Sequence, residues 1–415
     1  MTVRDRAGTR FAAVAFVAAA VLAGCSGSGD ESDSAGLAAA TTPAPDPSTS
    51  ASAAPAAAEP AKTPEDDGPP SAERELTKVT RITGGLTPKS VVASSKGDVV
   101  AQNMIYTHTV SVYDRDHELV TTIKDRITPS EFGFDKYTKS VQGGPVEASF
   151  SPDGEHLWVS NYSMYGPGFS HPGDDVCSPA GGVDRSFLYR VSTKSWKIDG
   201  AVRVGAVPKF VEAAPDGKTV LVTNWCTWDL SVVDAETLKE KARIKLGGRY
   251  PRGIAITPDS KTAYVAIMGG TEIKKVDLAK AAEGDEDAVE DFSTAGGGPR
   301  HLNLSPDGRY LYVTLNKDGR VAKVDAKTGK VLKRVSTGSA PRSSVLSPDG
   351  TALFVVNYES NTVSQVRTKD MKVLSSENVD HHPIGITYNP ATDEVWVCSY
   401  VGSITVFKDD AGEDA

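Results

Sequence analysis

The chain has 415 residues and a formal net charge of −9 at pH 7. That length holds two ordinary domains or one large repeat array, and the acidic balance argues against general nucleic-acid binding, which rests on a basic face. Besides Cys25 there are three cysteines, Cys177, Cys226 and Cys398, which allow at most one pair and one thiol left over.

At the N-terminus, Arg4, Arg6 and Arg10 flank an apolar run over residues 11–23. The run is too short to span a bilayer comfortably but suits the core of a secretory signal. It ends in Leu22-Ala23-Gly24-Cys25, which resembles the bacterial lipobox. The resemblance implies that residues 1–24 are removed and that Cys25 carries acyl chains. The protein would then be a lipoprotein on the outer surface of the bacterial cytoplasmic membrane, its membrane partner reached through Cys25. Residues 25–74 are rich in Ala, Ser, Pro, Thr, Asp and Glu and hold almost no large apolar side chain. Such a segment cannot offset its chain entropy by burial, so a disordered tether is expected.

Residues 75–410 are written in one repeated phrase, and 411–415 form an acidic tail. The turn signal recurs as SSKG at 94, SPDG at 151, APDG at 214, TPDS at 257, SPDG at 305, SPDG at 347 and NPAT at 389. A period of 40 to 45 residues with short apolar strands marks a propeller blade. In the copy at 305, strands read directly at 301–304, 310–315, 321–325 and 331–336, separated by Pro-Asp-Gly, Lys-Asp-Gly and Lys-Thr-Gly turns. Four such strands form an antiparallel meander, too small to stand alone. After the turn at 389 only two strands remain, at 394–399 and 403–408, while a spare strand at 76–83 precedes the first blade. The pattern predicts an all-β, seven-bladed β-propeller closed by the N-terminal strand, which completes the last blade and removes an open edge.

Trp158-Val159-Ser160-Asn161, Leu221-Val222-Thr223-Asn224, Tyr264-Val265-Ala266-Ile267, Tyr312-Val313-Thr314-Leu315 and Phe354-Val355-Val356-Asn357 resemble the YVTN β-propeller repeat. The wider match is to the YncE-like group of exported propellers, and it covers 75–409. No blade spells the tetrapeptide in full. The resemblance implies the fold and export; it implies no reaction, because propellers host many functions.

In the meander, turns between strands one and two share a face with those between three and four. Turns between two and three share the other face with the crossings between blades; we call that face the top. The steps between the turns at 94, 151 and 214 are 57 and 63 residues, so two insertions are expected, at about 126–142 and 161–185. Both fall on top, where long loops on a rigid scaffold carry binding. Cys177 in the second insertion and Cys226 after strand two of blade 3 are placed to form a disulfide; Cys398 reads as a buried strand residue.

The residue after the proline opening each innermost strand is Lys89, Val146, Lys209, Arg252, Arg300, Arg342 and Ile384. Five cations at the mouth of the channel would favour an anionic ligand or an acidic partner loop; alternatively, each pairs with a nearby carboxylate. Five histidines also map to the top: His108, His171, His301, His381 and His382. His301 and His382 join the cations as candidate ligand contacts. With Asp174 and Asp175 a metal site is imaginable, but no pair has a recognised ligand spacing. Tyr162, Trp225, Tyr358 and Tyr400, each closing a second strand, could be interblade packing or a ligand wall.

No His-Glu-x-x-His, Gly-x-Ser-x-Gly, Cys-x-x-Cys-His or phosphate-loop motif occurs. No catalytic residue, metal or cofactor is therefore assigned. The expected function is binding through the top face, of an envelope protein, a glycan or a small anion, by a monomer. The competing class is a lactonase-like hydrolase or a metal-dependent oxidoreductase using top-face His and acidic residues.

Overall fold

The computed structural model describes residues 68–411. The signal segment, Cys25, the tether up to residue 67 and residues 412–415 lie outside the described residues. Seven antiparallel sheets follow one another along the chain. Their innermost strands are Pro88–Ala93, Val141–Phe150, Pro208–Ala213, Pro251–Ile256, Pro299–Leu304, Pro341–Leu346 and Pro383–Asn389. Blades 1 to 6 then step outwards through consecutive neighbours, as in Pro299–Leu304, Tyr310–Leu315, Arg320–Asp325 and Val331–Ser336.

Burial explains why the strands are so apolar inside and so polar outside. The second strand of blade 6, Ala352–Asn357, is buried at every residue, because both its faces meet sheets. The outer strand of blade 5, Val331–Ser336, is mostly exposed. Cores form between blades rather than within them: Leu221 and Val232 of blade 3 pack with Ile254, Val265 and Val276 of blade 4. Burying one such side chain fully contributes roughly 1.5–3 kcal/mol, so no blade is stable without its neighbours.

The ring closes as the spare strand predicts. Glu75–Thr83 runs antiparallel to Ser403–Asp410, with Ile82 opposite Ile404 and Thr83 opposite Ser403. Just ahead of it, the 3-10 turn Ser71–Glu73 extends the clasp. Ser71 N donates to Asp349 at 2.9 Å and its hydroxyl to Asp409 at 2.7 Å, while Gln365 Nε2 donates to the Ser71 carbonyl at 2.7 Å. The N-terminal segment thus ties blades 6 and 7 together at the Pro-Asp-Gly face, opposite the top.

Two departures from four plain strands stand out. Within the 126–142 insertion, Arg126–Ile127 pairs with Gln142 and Val141, giving blade 2 a fifth, short strand. Between strands three and four of blade 4 lies a helix, Leu278–Glu283, that the repeat pattern does not announce. Its capping is local: the Asp277 carboxylate accepts from the Ala279 and Lys280 amides, and Gly284 takes the left-handed conformation that ends it.

Candidate anion site at the top of the channel

Every innermost strand carries a fault in its ladder near the top. The register slips directly after Pro88, Pro145, Pro208, Pro251, Pro299, Pro341 and Pro383. A bulge re-aims the side chain it carries, and here that side chain is the residue after the proline. The backbone before the proline is strained as well. Val207, Tyr250, Ala340 and His382 have φ of 53°, 60°, 52° and 56°, a left-handed conformation that costs a non-glycine residue about 1 kcal/mol or more. Neighbouring blades fasten the displaced carbonyls: Thr223 Oγ1 donates to the Arg252 carbonyl at 2.7 Å, and Thr314 Oγ1 to that of Arg342 at 3.1 Å.

This geometry brings the five predicted cations together. Lys89, Lys209, Arg252 and Arg300 are all buried, with Arg300 only 3% exposed, and Arg342 is half-buried. Burial pushes the Lys89 amine well below its usual value, and the charges of Lys209, Arg252, Arg300 and Arg342 push it further. Burial and the charges of Arg252 and Arg342 likewise depress Arg300.

The counter-ions are fewer than the cations. Arg252 Nη2 meets Glu147 at 2.8 Å, and its Nη1 donates to the Lys209 carbonyl at 2.8 Å. Lys209 Nζ meets Asp175 at 2.8 Å. The other three have no carboxylate in an ion pair among the described residues. Lys89 Nζ donates to the Tyr400 hydroxyl at 2.6 Å, and Arg300 Nη1 to Ser343 Oγ at 3.3 Å. Arg342 lies 3.5 Å over the Tyr358 ring, its Nε buried without a partner, and feels Glu359 only at longer range. Five cations against Glu147 and Asp175 leave an excess of three positive charges at full protonation.

The four aromatics that close second strands hold these cations. Lys209 Nζ lies 4.3 Å over Tyr162 and 4.9 Å over Trp225, and Lys89 Nζ lies 4.9 Å over Tyr400. Trp225 stacks in turn on Tyr250, centroids 4.5 Å apart. They therefore pack between blades and wall the mouth at once, each ring face turned to a cation.

The disulfide between Cys177 and Cys226, with Cα atoms 5.2 Å apart, draws the 161–185 insertion onto blade 3. It delivers Asp175, whose carboxylate accepts from Tyr162 at 3.2 Å as well as from Lys209, and whose carbonyl accepts from Trp225 Nε1 at 3.2 Å. Burial pushes this carboxyl up, but Lys209 outweighs it and brings the value down to about 2. Lys209 itself is pushed down by burial, against the pull of Asp175, to about 8. The 126–142 insertion goes elsewhere. Its Phe134 and Tyr137 pack on Phe187 of blade 2, and Tyr137 stacks on Phe169 at 5.1 Å, so it covers blade 2 and not the cations.

The two histidines expected beside the cations sit differently. His301 is half-buried; it accepts from the Ser344 amide at 3.4 Å and meets Phe210 edge-on at 5.2 Å. Burial, with Arg300 and Arg252, depresses it to about 3, so it is a neutral acceptor. His382 stacks flat on Tyr358 at 4.2 Å, with Nε2 3.8 Å from Glu359, at the edge of the mouth. Among the described residues no three His, Cys, Asp or Glu side chains gather as a metal would require. Cys398 is buried in its strand, its thiol pushed up by burial to about 12. Sequence reasoning missed Glu147, one residue past the position where blade 2 lacks a cation, and the placement of Asp175.

Comparison with known proteins agrees with the architecture. The family model of the cytochrome D1 heme domain matches residues 294–383, which span blades 5 and 6 and their borders. Antigen Lp49 of Leptospira interrogans is 26% identical over 213 residues, 49% of this chain and 40% of that protein. The chain therefore matches less than half the length of that curated relative. A hydrazine synthase chain of Kuenenia stuttgartiensis superposes with a TM-score of 0.61 at 17% identity, over 79% of this chain and 97% of that one. The chain is a seven-bladed β-propeller with similarity to these proteins. Likeness at so low an identity speaks for the fold alone.

Proposed function

We propose that this chain is a YVTN-type, YncE-like exported propeller, lipid-anchored through Cys25, that captures an anionic ligand at the top of its channel. One observation carries the reading: among the described residues five convergent cations, four of them buried, form ion pairs with only two carboxylates. A buried charge left unpaired costs several kcal/mol, and a bound anion removes that cost. The Arg300 and Arg342 guanidinium groups are suited to bidentate recognition of carboxylate or phosphate. Ser71 docks beside Asp349 on the face opposite the mouth, so the start of the described chain does not occupy the cation site.

Similarity to a haem domain raises haem as a ligand, and the residues here do not fit it. His301 is already held by the Ser344 amide and packed on Phe210. Arg252 of blade 4 joins Glu147 of blade 2, and the mouth is lined by cations and, among the described residues, offers no free histidine-and-carboxylate set to hold such a group. No observation favours a metal-dependent oxidoreductase or a hydrolase over binding. The test is a thermal-shift series in low-salt buffer with chloride, phosphate, citrate and an acidic peptide. The reading predicts that a multivalent anion raises the melting temperature, and that joint reversal of Lys209, Arg252, Arg300 and Arg342 to Glu abolishes the shift. Equal shifts in a folded reversal variant would refute it.

A further inference from the structure

Among the five cations, Lys89 is distinguished by its partner. Lys209 and Arg252 hold carboxylates; Arg300 and Arg342 cannot act as nucleophiles at neutral pH because a guanidinium keeps its proton. Lys89 is a primary amine whose near neighbour is a phenol, with Nζ and the Tyr400 hydroxyl 2.6 Å apart. Both belong to the mouth: Lys89 is 7% exposed, and Tyr400 is half-buried where blade 7 meets blade 1.

We propose that Lys89 and Tyr400 form a carbonyl-capturing pair for a small 2-oxo acid, whose carboxylate Arg300 and Arg342 hold while the Lys89 amine forms an imine at C2. This rests on the anion reading of the mouth and adds a covalent step to it. Three features of the site support the step. An amine crowded by cations and removed from water loses its proton readily, the condition under which lysine becomes a nucleophile; burial and four neighbouring positive charges push Lys89 in that direction. Tyr400 moves the other way: burial raises its phenol against the opposing charges of Arg342 and Arg300, so it keeps its proton. The charges of those same two arginines act on both partners of the pair, lowering Lys89 and opposing the rise of Tyr400. In a 2-oxo acid the carboxylate is bonded directly to the carbonyl carbon, so anchor and amine must share one pocket: Arg342 lies 3.5 Å over Tyr358, whose ring centroid is 6.1 Å from that of Tyr400, the partner of Lys89.

The step balances without a redox partner. The amine nitrogen bonds to C2, and the carbonyl oxygen takes a proton relayed through Tyr400 as the nitrogen loses one. The C–O bond then breaks, and the oxygen leaves as water with a second proton relayed from the nitrogen. Tyr400 ends as it began, and a C=N bond has replaced C=O. A simple dicarboxylate or phosphate would occupy the same arginines and stop at non-covalent binding.

The experiment is reductive trapping. The full mature chain is incubated with pyruvate and cyanoborohydride at neutral pH, and the modified peptide is mapped by mass spectrometry. The proposal predicts one carboxyethyl group, on Lys89, competed away by citrate. Lys89→Met should lose it, Tyr400→Phe should slow it at least tenfold while melting cooperatively, and Lys218→Met on the opposite face should leave it in place. Modification scattered over surface lysines, with thermal stabilisation by anions intact, would overturn the imine and leave the anion site standing. Absence of both trapping and stabilisation would overturn both.

Discussion

The two ends of the propeller are built from the same repeat and solve their charges in opposite ways. At the Pro-Asp-Gly face five of the copies close their turn with their own aspartate. Asp153, Asp216, Asp259, Asp307 and Asp349 each accept the amide two residues on, at 2.9 to 3.1 Å. Ser151, Thr257, Ser305 and Ser347 add a hydroxyl to the aspartate of their own turn. At the top, by contrast, the cations find carboxylate or hydroxyl partners in other blades or none. Arg252 reaches from blade 4 to Glu147 of blade 2, and Lys89 of blade 1 reaches Tyr400 of blade 7. Local satisfaction closes a turn from within; shared, incomplete satisfaction leaves charge that the proposed anion would complete.

The largest effect should come from breaking what holds both ends in one ring. Deleting residues 71–83 removes the outer strand of blade 7 and the Ser71 bonds to Asp349 and Asp409. Calorimetry should show the melt broaden and fall by about 10 °C or more, given roughly 2–4 °C per kcal/mol in domains of moderate size. Next comes the staple that brings Asp175 to the mouth. Replacing Cys177 and Cys226 by Ala opens a loop closed over a separation of 49 residues, at a cost of up to about 4 kcal/mol on chain entropy. With Asp175 released from Lys209, phosphate should bind more tightly to this variant than to wild type in the same thermal-shift assay.

Two matched substitutions sharpen the contrast. Arg300→Gln removes an uncompensated buried charge, so the melting temperature in anion-free buffer should hold or rise. Phosphate affinity should nevertheless fall roughly 10- to 100-fold, the worth of a hydrogen bond to a charged group at about 1.5–3 kcal/mol. Asp307→Asn at the opposite face should cost about 1 kcal/mol and leave phosphate binding unchanged.

The smallest effect is a pH dependence. Lys209, depressed by burial to about 8, regains its proton when an anion binds beside it. Binding therefore takes up protons above that value, and affinity should weaken as pH rises through 8 and be level just below it. For stability without anion the sign is reversed. The folded pKa lies below that of the unfolded chain, so the unfolded state binds more protons between about 8 and 10.4, and this group's contribution to stability rises with pH across that window.

The same contrast explains what the sequence discloses. A turn satisfied by its own residues leaves its whole signature in four letters, so seven copies, their spacing and the spare strand at 76–83 can be counted. The cations after Pro88, Pro208, Pro251, Pro299 and Pro341 were legible because the repeat fixes their place in each strand. The register slip that turns them together is not a residue type, and the pairing of Arg252 with Glu147 joins positions of different rank in different copies. Asp175 was hidden for another reason: only the Cys177–Cys226 link decides which of many loop residues meets Lys209. The helix Leu278–Glu283 did have a local signature, Asp277 before it and Gly284 after, in a repeat otherwise read only for strands.

The central claim, that the top of the channel is short of negative charge and is completed by an anion, is tested most directly by titration calorimetry with citrate at pH 7 and low salt. The account predicts a single site on the wild-type protein, weakened about 100-fold or more when Arg300 and Arg342 are both changed to Gln, since each charged hydrogen bond contributes about 1.5–3 kcal/mol. Identical heats and affinities for the two folded proteins would contradict it.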